Sequence, residues 1–233
     1  MSALTPKSLT PKSKIIDDWS NCAIMCFMKA EYTDVRQHIL DQGKAIITRK
    51  GFAGVGLNEI LTAAAVPKGS FYHYFKSKEL FGEALLDDYV AQYLVHMDGL
   101  LGQAGQPAAQ CLMAYWDSWF SDATESADSC NCRCLVVKLS SEVADMSEPM
   151  RVALRDGTDH IIARLALAIE HGVADGSLPV VQDAAQTAQT LYQLWLGAAM
   201  LTKLRREPSA LNSAWHATLD LLHLAPASYP LRG

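Results

Sequence analysis

The sequence lacks any long apolar segment. None of its hydrophobic runs approaches the about 18–20 residues that cross a lipid bilayer. The seven-residue run from Cys22 to Met28 follows two aspartates and has no good small-residue cleavage site. We therefore expect neither a membrane span nor a signal peptide. The sequence predicts a cytoplasmic protein in which the six cysteines are free thiols.

An excess of positive charge is also missing from the chain as a whole. Twenty Lys and Arg stand against 25 Asp and Glu, and a net charge of −5 by itself disfavours a nucleic-acid binder. The charge is unevenly distributed, however. Residues 34–80 hold seven basic and four acidic residues, a net of +3, whereas residues 81–233 hold nine and eighteen, a net of −9. A small basic segment on an acidic body suits a DNA-reading head joined to a body that DNA repels.

Strict alternation of polar and apolar residues, the sign of a half-buried strand, is absent as well. From Thr33 onward the apolar residues instead recur near the helical period. The sequence predicts an all-α fold with a helix-turn-helix domain over residues 31–80 and a second helical domain over residues 81–225. Before these, LTPKS is repeated in tandem at 4–8 and 9–13, which predicts a disordered extension over residues 1–30. Met28 is a second candidate start of translation.

Residues that typically begin or end helices predict the individual helices of the head. Thr33 is a candidate N-cap of the first helix and Gly51 its stop, and Val66-Pro67 ends a second short helix. A third helix is expected from Pro67 to Phe75, with Pro67 in its first turn. Ser77 is then expected to cap a long fourth helix.

Residues 56–75, GLNEILTAAAVPKGSFYHYF, have the pattern of two short helices joined by a tight turn. The second helix of such a motif enters the major groove and places its early residues on base edges. The candidate DNA-binding residues are Lys68, Gly69, Ser70, Tyr72, His73, Tyr74, Lys76 and Lys78, within the motif from Gly56 to Phe75 and the start of the next helix. Phe71 and Phe75, four residues apart, are expected to face inward. The plainer alternative is a solvated basic face with ordinary half-buried tyrosines.

The segments GFAGVGLNEI, PKGSFYHYF and KSKELF strongly resemble the TetR family of regulators, over roughly residues 34–82. The resemblance implies a three-helix head with a helix-turn-helix. It also implies that residues 81–225 are a helical effector-sensing and dimerisation domain, which binds a small-molecule effector and forms a homodimer. A two-fold dimer of this kind reads a palindromic operator in double-stranded DNA. Pro67 departs from the family pattern, in which Ser or Thr is common as the N-cap. Within the family, CLVVKLSSEVADMSEPMR and LYQLWLGAAMLTK look like the electrophile-responsive NemR type.

Three cysteines, Cys130, Cys132 and Cys134, open a predicted helix for which Ser129 or Asn131 is the candidate N-cap. The helix dipole, Arg133 and Lys138 should favour the thiolate of Cys134. The resemblance places the sensing cysteine at Cys134, with Lys203 as a lysine close to it. A buried, inert thiol is the plainer interpretation of Cys134. Cys130 and Cys132 are either resolving thiols or without a role.

The remaining features leave several interpretations open. Alternate cysteines could ligate a soft metal ion, but neither a histidine nor a CxxC pair accompanies them, so we predict no metal site and no cofactor. Cys111 is expected in the core, and Glu142, Asp145 and Glu148 on a solvated face. An aromatic set could line an effector pocket or simply form core; it consists of Tyr115, Trp116, Trp119, Tyr192 and Trp195.

The function that the sequence predicts is a transcriptional repressor that releases its operator when a reactive electrophile or oxidant modifies Cys134. One alternative is a repressor of the same family that responds to a reversibly bound apolar small molecule. Another is a thiol-dependent enzyme with Cys134 as its nucleophile. No recognisable Cys/His/Asp constellation supports the enzyme, so we predict no catalytic residue. A purely helical interaction module remains a third alternative.

Overall fold

The computed structural model describes residues 35–124 and 133–230, and the regular structure within them is helical, as predicted. Residues 35–50 form α1. The helices that follow are α2 (Leu57–Ala63), α3 (Lys68–Tyr74), α4 (Lys78–Leu101), α5 (Ala108–Thr124), α6 (Arg133–Met146), α7 (Glu148–Ala174), α8 (Ala184–Arg205) and α9 (Ser209–Leu221), with a short 3-10 turn at Pro226–Ser228. In these ranges no helix is both long and apolar enough to cross a membrane. The predicted extension, the Thr33 cap, Cys130, Cys132 and the candidate caps Ser129 and Asn131 lie outside the described residues.

The ends of the head helices follow local signals in the sequence. Gly51 ends α1 with a φ of +82°, in the left-handed region that glycine adopts without steric cost, which confirms it as the stop. Ser77 caps α4 as predicted, because its hydroxyl accepts a hydrogen bond from the Leu80 N–H at 3.1 Å. Pro67 is the N-cap of α3 rather than part of its first turn. Its ψ of 152° is extended, so the helix begins one residue later than predicted.

The turn between α2 and α3 is held in a strained conformation. Ala65 has a φ of +51°, where an L-residue with a β-carbon pays about 1–2 kcal/mol. His38 of α1 lies beside this turn, with its Nε2 atom 3.1 Å from the Ala64 carbonyl oxygen. Since a carbonyl oxygen only accepts, Nε2 carries the hydrogen. This bond ties the turn of the helix-turn-helix to α1.

Two apolar clusters form the core, and α4 contributes to both. Phe81 and Leu85 of α4 pack in the head cluster, whereas Tyr93 and Met97, further along, pack in the body cluster. The head cluster also takes in residues from α6 and α7 beside those of α1 to α3. Its α6 members are Leu135, Val136, Leu139 and Val143. Helix α6 is therefore packed directly against the head.

Aromatic side chains dominate the body cluster. The rings of Trp116 and Trp195 are fully buried and stacked, with centroids 4.9 Å apart and planes 15° apart. The Trp195 indole N–H donates to the Thr218 hydroxyl at 2.8 Å. The hydroxyl groups of Tyr93 and Tyr115 are 2.6 Å apart. All five residues of the aromatic set are members of this buried cluster. Cys111 is buried, as predicted.

Candidate nucleic-acid interface

Helix α3 is anchored to the head through one side only. Phe71 is fully buried and Phe75, just after the helix, is 3% exposed, so the prediction that both face inward is confirmed. Their ring centroids lie 5.4 and 5.1 Å from that of Phe81 at the start of α4. A seven-residue helix has little stability of its own. These ring contacts therefore fix where α3 sits and which side it turns outward.

The exposed surface of α3 and of the turn after it carries most of the predicted DNA-binding residues. Lys68, Gly69, Tyr72, His73 and Lys76 are exposed, and Ser70 and Tyr74 are half-buried. The Lys68 ammonium group lies 5.7 Å from the centroid of the Tyr72 ring, so a cation and a phenol share one patch. A Cβ atom at Gly69 would meet no atom of the described residues within 4 Å, so packing against that part of the chain does not require glycine there. The surface is open to a partner at this point.

The two lysines after α3 lie in different surroundings. Lys76 is exposed in the turn between α3 and α4, with a φ of +60°. Lys78 is half-buried: its ammonium group donates to the Phe52 carbonyl oxygen at 2.8 Å and lies 4.4 Å from the Phe52 ring centroid. Burial lowers the pKa of Lys78 below its ordinary value, and Glu79 and Glu142 partly oppose this. Lys78 thus helps to build the head, and its contact with phosphate stays a prediction.

Two side chains of α6 contact the head in a way that the sequence did not indicate. The expectation that Glu142 lies on a solvated face is wrong, because its carboxylate accepts hydrogen bonds from the Phe52 and Ala53 backbone N–H groups. Lys138 donates to the Thr48 and Arg49 carbonyl oxygens at the end of α1. These partners are 89 or 90 residues away in the chain, so local spacing cannot reveal them. Asp145 and Glu148 are exposed, as expected.

The predicted sensing residues belong to two helices that touch. Cys134 is the second residue of α6, and its side chain lies outside the described part of the chain. Lys203 is exposed in the last turn of α8. Helices α6 and α8 are in contact, which is compatible with a cysteine and a lysine that approach each other. Their proximity stays a prediction.

Helices α8 and α9 present an open groove to the outside. The groove has a volume of about 530 Å³ and is lined by Thr190, Leu194, Ala217, Asp220, Leu221 and His223. Large apolar side chains also stand exposed along α8, since Met200 is 47% and Leu204 72% exposed. Within residues 35–124 and 133–230 of one chain nothing covers this surface, although burying it would be favourable.

The two parts of the chain match two known families. Residues 39–85 match the family described as bacterial regulatory proteins, tetR family. Residues 108–218 match the family described as tetracyclin repressor-like, C-terminal domain. The first match contains α2 and α3 with the patch around Lys68 and Tyr72, and the second contains α6 and most of the body.

Individual relatives agree with these matches. The HTH-type transcriptional repressor NemR of Escherichia coli (strain K12) is 40% identical over 181 residues, which are 78% of this chain and 90% of the relative. The transcriptional regulator AcuR of Cereibacter sphaeroides is 33% identical over 179 residues, 76% of this chain and 80% of the relative. The crystal structure of the reduced form of E. coli NemR superimposes with a TM-score of 0.76 at 39% identity and covers 81% of this chain and 97% of that one. The chain therefore belongs to the TetR family of bacterial regulatory proteins.

Proposed function

We propose that the protein is a homodimeric transcriptional repressor that binds a palindromic operator through α3 of each protomer. One observation carries the proposal: α3 buries Phe71 against the head while Lys68, Tyr72 and His73 of the same helix are exposed. A relative of 40% identity is named as a transcriptional repressor, which supports the same conclusion.

The residues on the exposed side of α3 have the chemistry that a major groove accepts. Lys68 supplies a cation for a phosphate or for the acceptor atoms of guanine. The hydroxyl of Tyr72 and the imidazole of His73 offer hydrogen bonds to the backbone or to base edges, and Ser70 can donate to a phosphate oxygen. At Gly69 the missing side chain lets the two backbones approach closely. Lys76, Tyr74 and Lys78 complete the proposed contact set.

A dimer is part of the proposal because one head reaches only one half-site. The exposed apolar surface of α8 and the groove between α8 and α9 support a second copy of the chain as their cover. A two-fold axis through such an interface would place the same surface of each protomer against itself. The two recognition helices would then face successive major grooves.

We predict that replacing Lys68 by alanine weakens binding to the DNA upstream of the gene. The loss should be about 1–3 kcal/mol, roughly 5- to 150-fold in Kd, because a charged contact to phosphate or base is removed. Fluorescence anisotropy at several salt concentrations measures both the affinity and its salt dependence. If Lys68 contacts phosphate, the salt slope should also fall by about one.

The matched control for this variant is Lys44→Ala. Lys44 is also a lysine of the head, but its ammonium group donates to Gln92 of α4 at 3.1 Å, away from α3. Its loss should leave DNA affinity within about twofold of wild type, the change expected for a surface substitution away from the interface. Equal losses in both variants would argue that binding depends on net charge alone, and full binding by Lys68→Ala would contradict the proposed interface.

We further propose that a reactive electrophile or oxidant releases the operator by modifying Cys134. The resemblance to the NemR type carries this part, and the position of Cys134 in the first turn of α6 supports it, since a helix N-terminus favours a thiolate. Helix α6 also packs in the head cluster through Leu139 and Val143, and this cluster contains Phe71 of α3, so a shift of α6 would be passed to α3 through the head core. The crystal structure of E. coli NemR is described as the reduced form of that protein.

The alternative trigger is an apolar molecule bound reversibly among the aromatic residues of the body. Such a ligand would have to part rings that are in mutual contact, since Trp119 lies 5.7 Å from Trp116 and 5.6 Å from Trp195 between centroids. This packing favours the covalent trigger. A thiol-dependent enzyme would need a general base beside Cys134, and the relatives named above are transcriptional regulators.

The trigger is tested with N-ethylmaleimide on the full-length protein bound to DNA. The thiolate sulfur adds to one carbon of the ring double bond, and the other carbon takes a proton from water. We predict that wild type loses affinity by roughly 5- to 150-fold, the usual range of allosteric coupling, and that Cys134→Ser keeps its affinity. Cys130→Ser and Cys132→Ser are the matched controls and should respond like wild type. If Cys134→Ser still releases DNA, the Cys134 trigger is wrong.

A further inference from the structure

Lys138 of α6 binds the very end of α1. Its ammonium group donates to the Arg49 carbonyl oxygen at 2.6 Å and to that of Thr48. The last carbonyl groups of a helix have no partner within the helix and carry the negative end of its dipole. A lysine that donates to two of them satisfies both the hydrogen bonds and the charge. Lys138 therefore holds the last turn of α1 at a defined place along α6.

Glu142, one helical turn after Lys138, binds the turn that follows α1. Its carboxylate accepts from the Phe52 backbone N–H at 3.1 Å and from that of Ala53. Hydrogen bonds to an ionised group are shorter and stronger than those between neutral groups. The contact is close as well, because a Cβ atom at Gly51 would come within 3.0 Å of a Glu142 carboxylate oxygen. We call Lys138 and Glu142 the α6 anchor.

The α6 anchor restricts the orientation of the head relative to α6, which the apolar contacts of α6 do not. Leu135, Leu139 and Val143 bury apolar surface in the head cluster, but hydrophobic attraction is non-directional and tolerates rotation or sliding. Hydrogen bonds weaken steeply when their angle departs from linear. Because the anchor binds backbone groups on both sides of the α1 terminus, it selects one orientation of the head relative to α6.

We infer that Lys138 and Glu142 are positioning residues for DNA recognition, which fix the orientation of the head on the body and thereby the half-site spacing that the dimer accepts. The inference rests on the proposed operator binding. In a two-fold dimer each recognition helix is carried by its own body, so a small rotation of both heads changes the distance between them. Neither residue needs to touch DNA for this effect.

The experiment measures spacing preference rather than affinity alone. Equilibrium Kd values are determined for the operator found upstream of the gene and for versions with one base pair inserted or removed between the half-sites. Wild type should discriminate clearly against the altered spacings. In Glu142→Ala and in Lys138→Met this discrimination should fall by roughly 2- to 30-fold, the range of measured coupling effects. Sedimentation establishes that each variant remains the same oligomer as wild type.

Asp145→Ala is the matched control, because Asp145 is an exposed carboxylate on the same helix. It should keep the wild-type preference. Glu142→Gln, which keeps one acceptor oxygen, replaces the alanine variant if that variant does not fold. Unchanged preference in both anchor variants would overturn the inference, as would an equal change in Asp145→Ala. Failure of the proposed function looks different, because wild type itself would then not bind the DNA.

Discussion

Replacing Trp195 by alanine is expected to lower the free energy of unfolding by about 3–5 kcal/mol, the usual cost of deleting a buried large aromatic side chain. Trp195 is fully buried, stacks on Trp116 and contacts the Trp119 and Phe120 rings edge-on. Its removal leaves a cavity in the body cluster. It also deletes the hydrogen bond that the Trp195 indole N–H donates to the Thr218 hydroxyl. Urea unfolding at fixed protein concentration measures the loss, since a dimer's stability depends on concentration.

The hydrogen bond and the packing of Trp195 can be separated. Trp195→Phe keeps a ring but removes the N–H donor, and it should cost less than the alanine variant. Adding Thr218→Val should recover little of that cost, because the Thr218 hydroxyl still donates to the Ala214 carbonyl oxygen at 2.7 Å and is not left without a partner in Trp195→Phe. A loss below about 1 kcal/mol for Trp195→Ala would mean that the cluster collapses around the gap and that these stacking contacts contribute little.

Phe71→Ala should remove DNA binding while leaving the dimer intact. Phe71 is the buried residue of α3, and its ring joins those of Phe75 and Phe81. Truncation should cost about 3–5 kcal/mol in the head, and a seven-residue helix cannot persist without that contact. Hydrogen–deuterium exchange should therefore accelerate at residues 68–75. Gel shift with the upstream DNA and sedimentation measure the functional loss and the retained dimer.

Phe71→Leu is the control for this variant, because it keeps an apolar side chain in the same position. It should retain ordered exchange in α3 and most of the DNA affinity. If Phe71→Ala binds DNA as tightly as wild type, α3 is not the element that enters the groove. Accelerated exchange throughout the body would instead show that the head and body clusters unfold as one unit.

The features that the sequence predicts correctly are those whose partners are local. Phe71 and Phe75 share a helix face because they are four residues apart, and Ser77 caps a helix whose first turn contains its partner Leu80. Gly51 ends α1 for the same kind of reason. In each case the residue and its partner lie within about one helical turn, so spacing and residue type suffice.

The features that the sequence does not reveal depend on partners far along the chain. Glu142 looks like a surface carboxylate until the fold brings it to the Phe52 and Ala53 amides. In the sequence Lys78 looks like a free cation, but in the fold its ammonium group donates a hydrogen bond to the Phe52 carbonyl oxygen. The left-handed conformation of Ala65 in the turn between α2 and α3 cannot be seen in the sequence, because glycine is the residue that normally indicates such a position. Tertiary contacts override the local pattern at Glu142 and Lys78. Ala65 instead lies in a local helix-ending turn, in which the Ala65 and Val66 N–H groups donate to Thr62 and Leu61.

The placement of the indole rings gives the protein an internal optical label. Between residues 35 and 230 the tryptophans are Trp116, Trp119, Trp195 and Trp215, which all lie in the body. Tryptophan fluorescence, excited at wavelengths that nucleic acid does not absorb, therefore reports on the body during titration with an operator. Because two of these rings are stacked face to face, their coupled near-ultraviolet dichroism should respond to shifts too small to alter helix content. In a variant that carries Trp19→Phe, a change of this signal on thiol alkylation would show that modification of α6 reaches the aromatic rings of the body cluster.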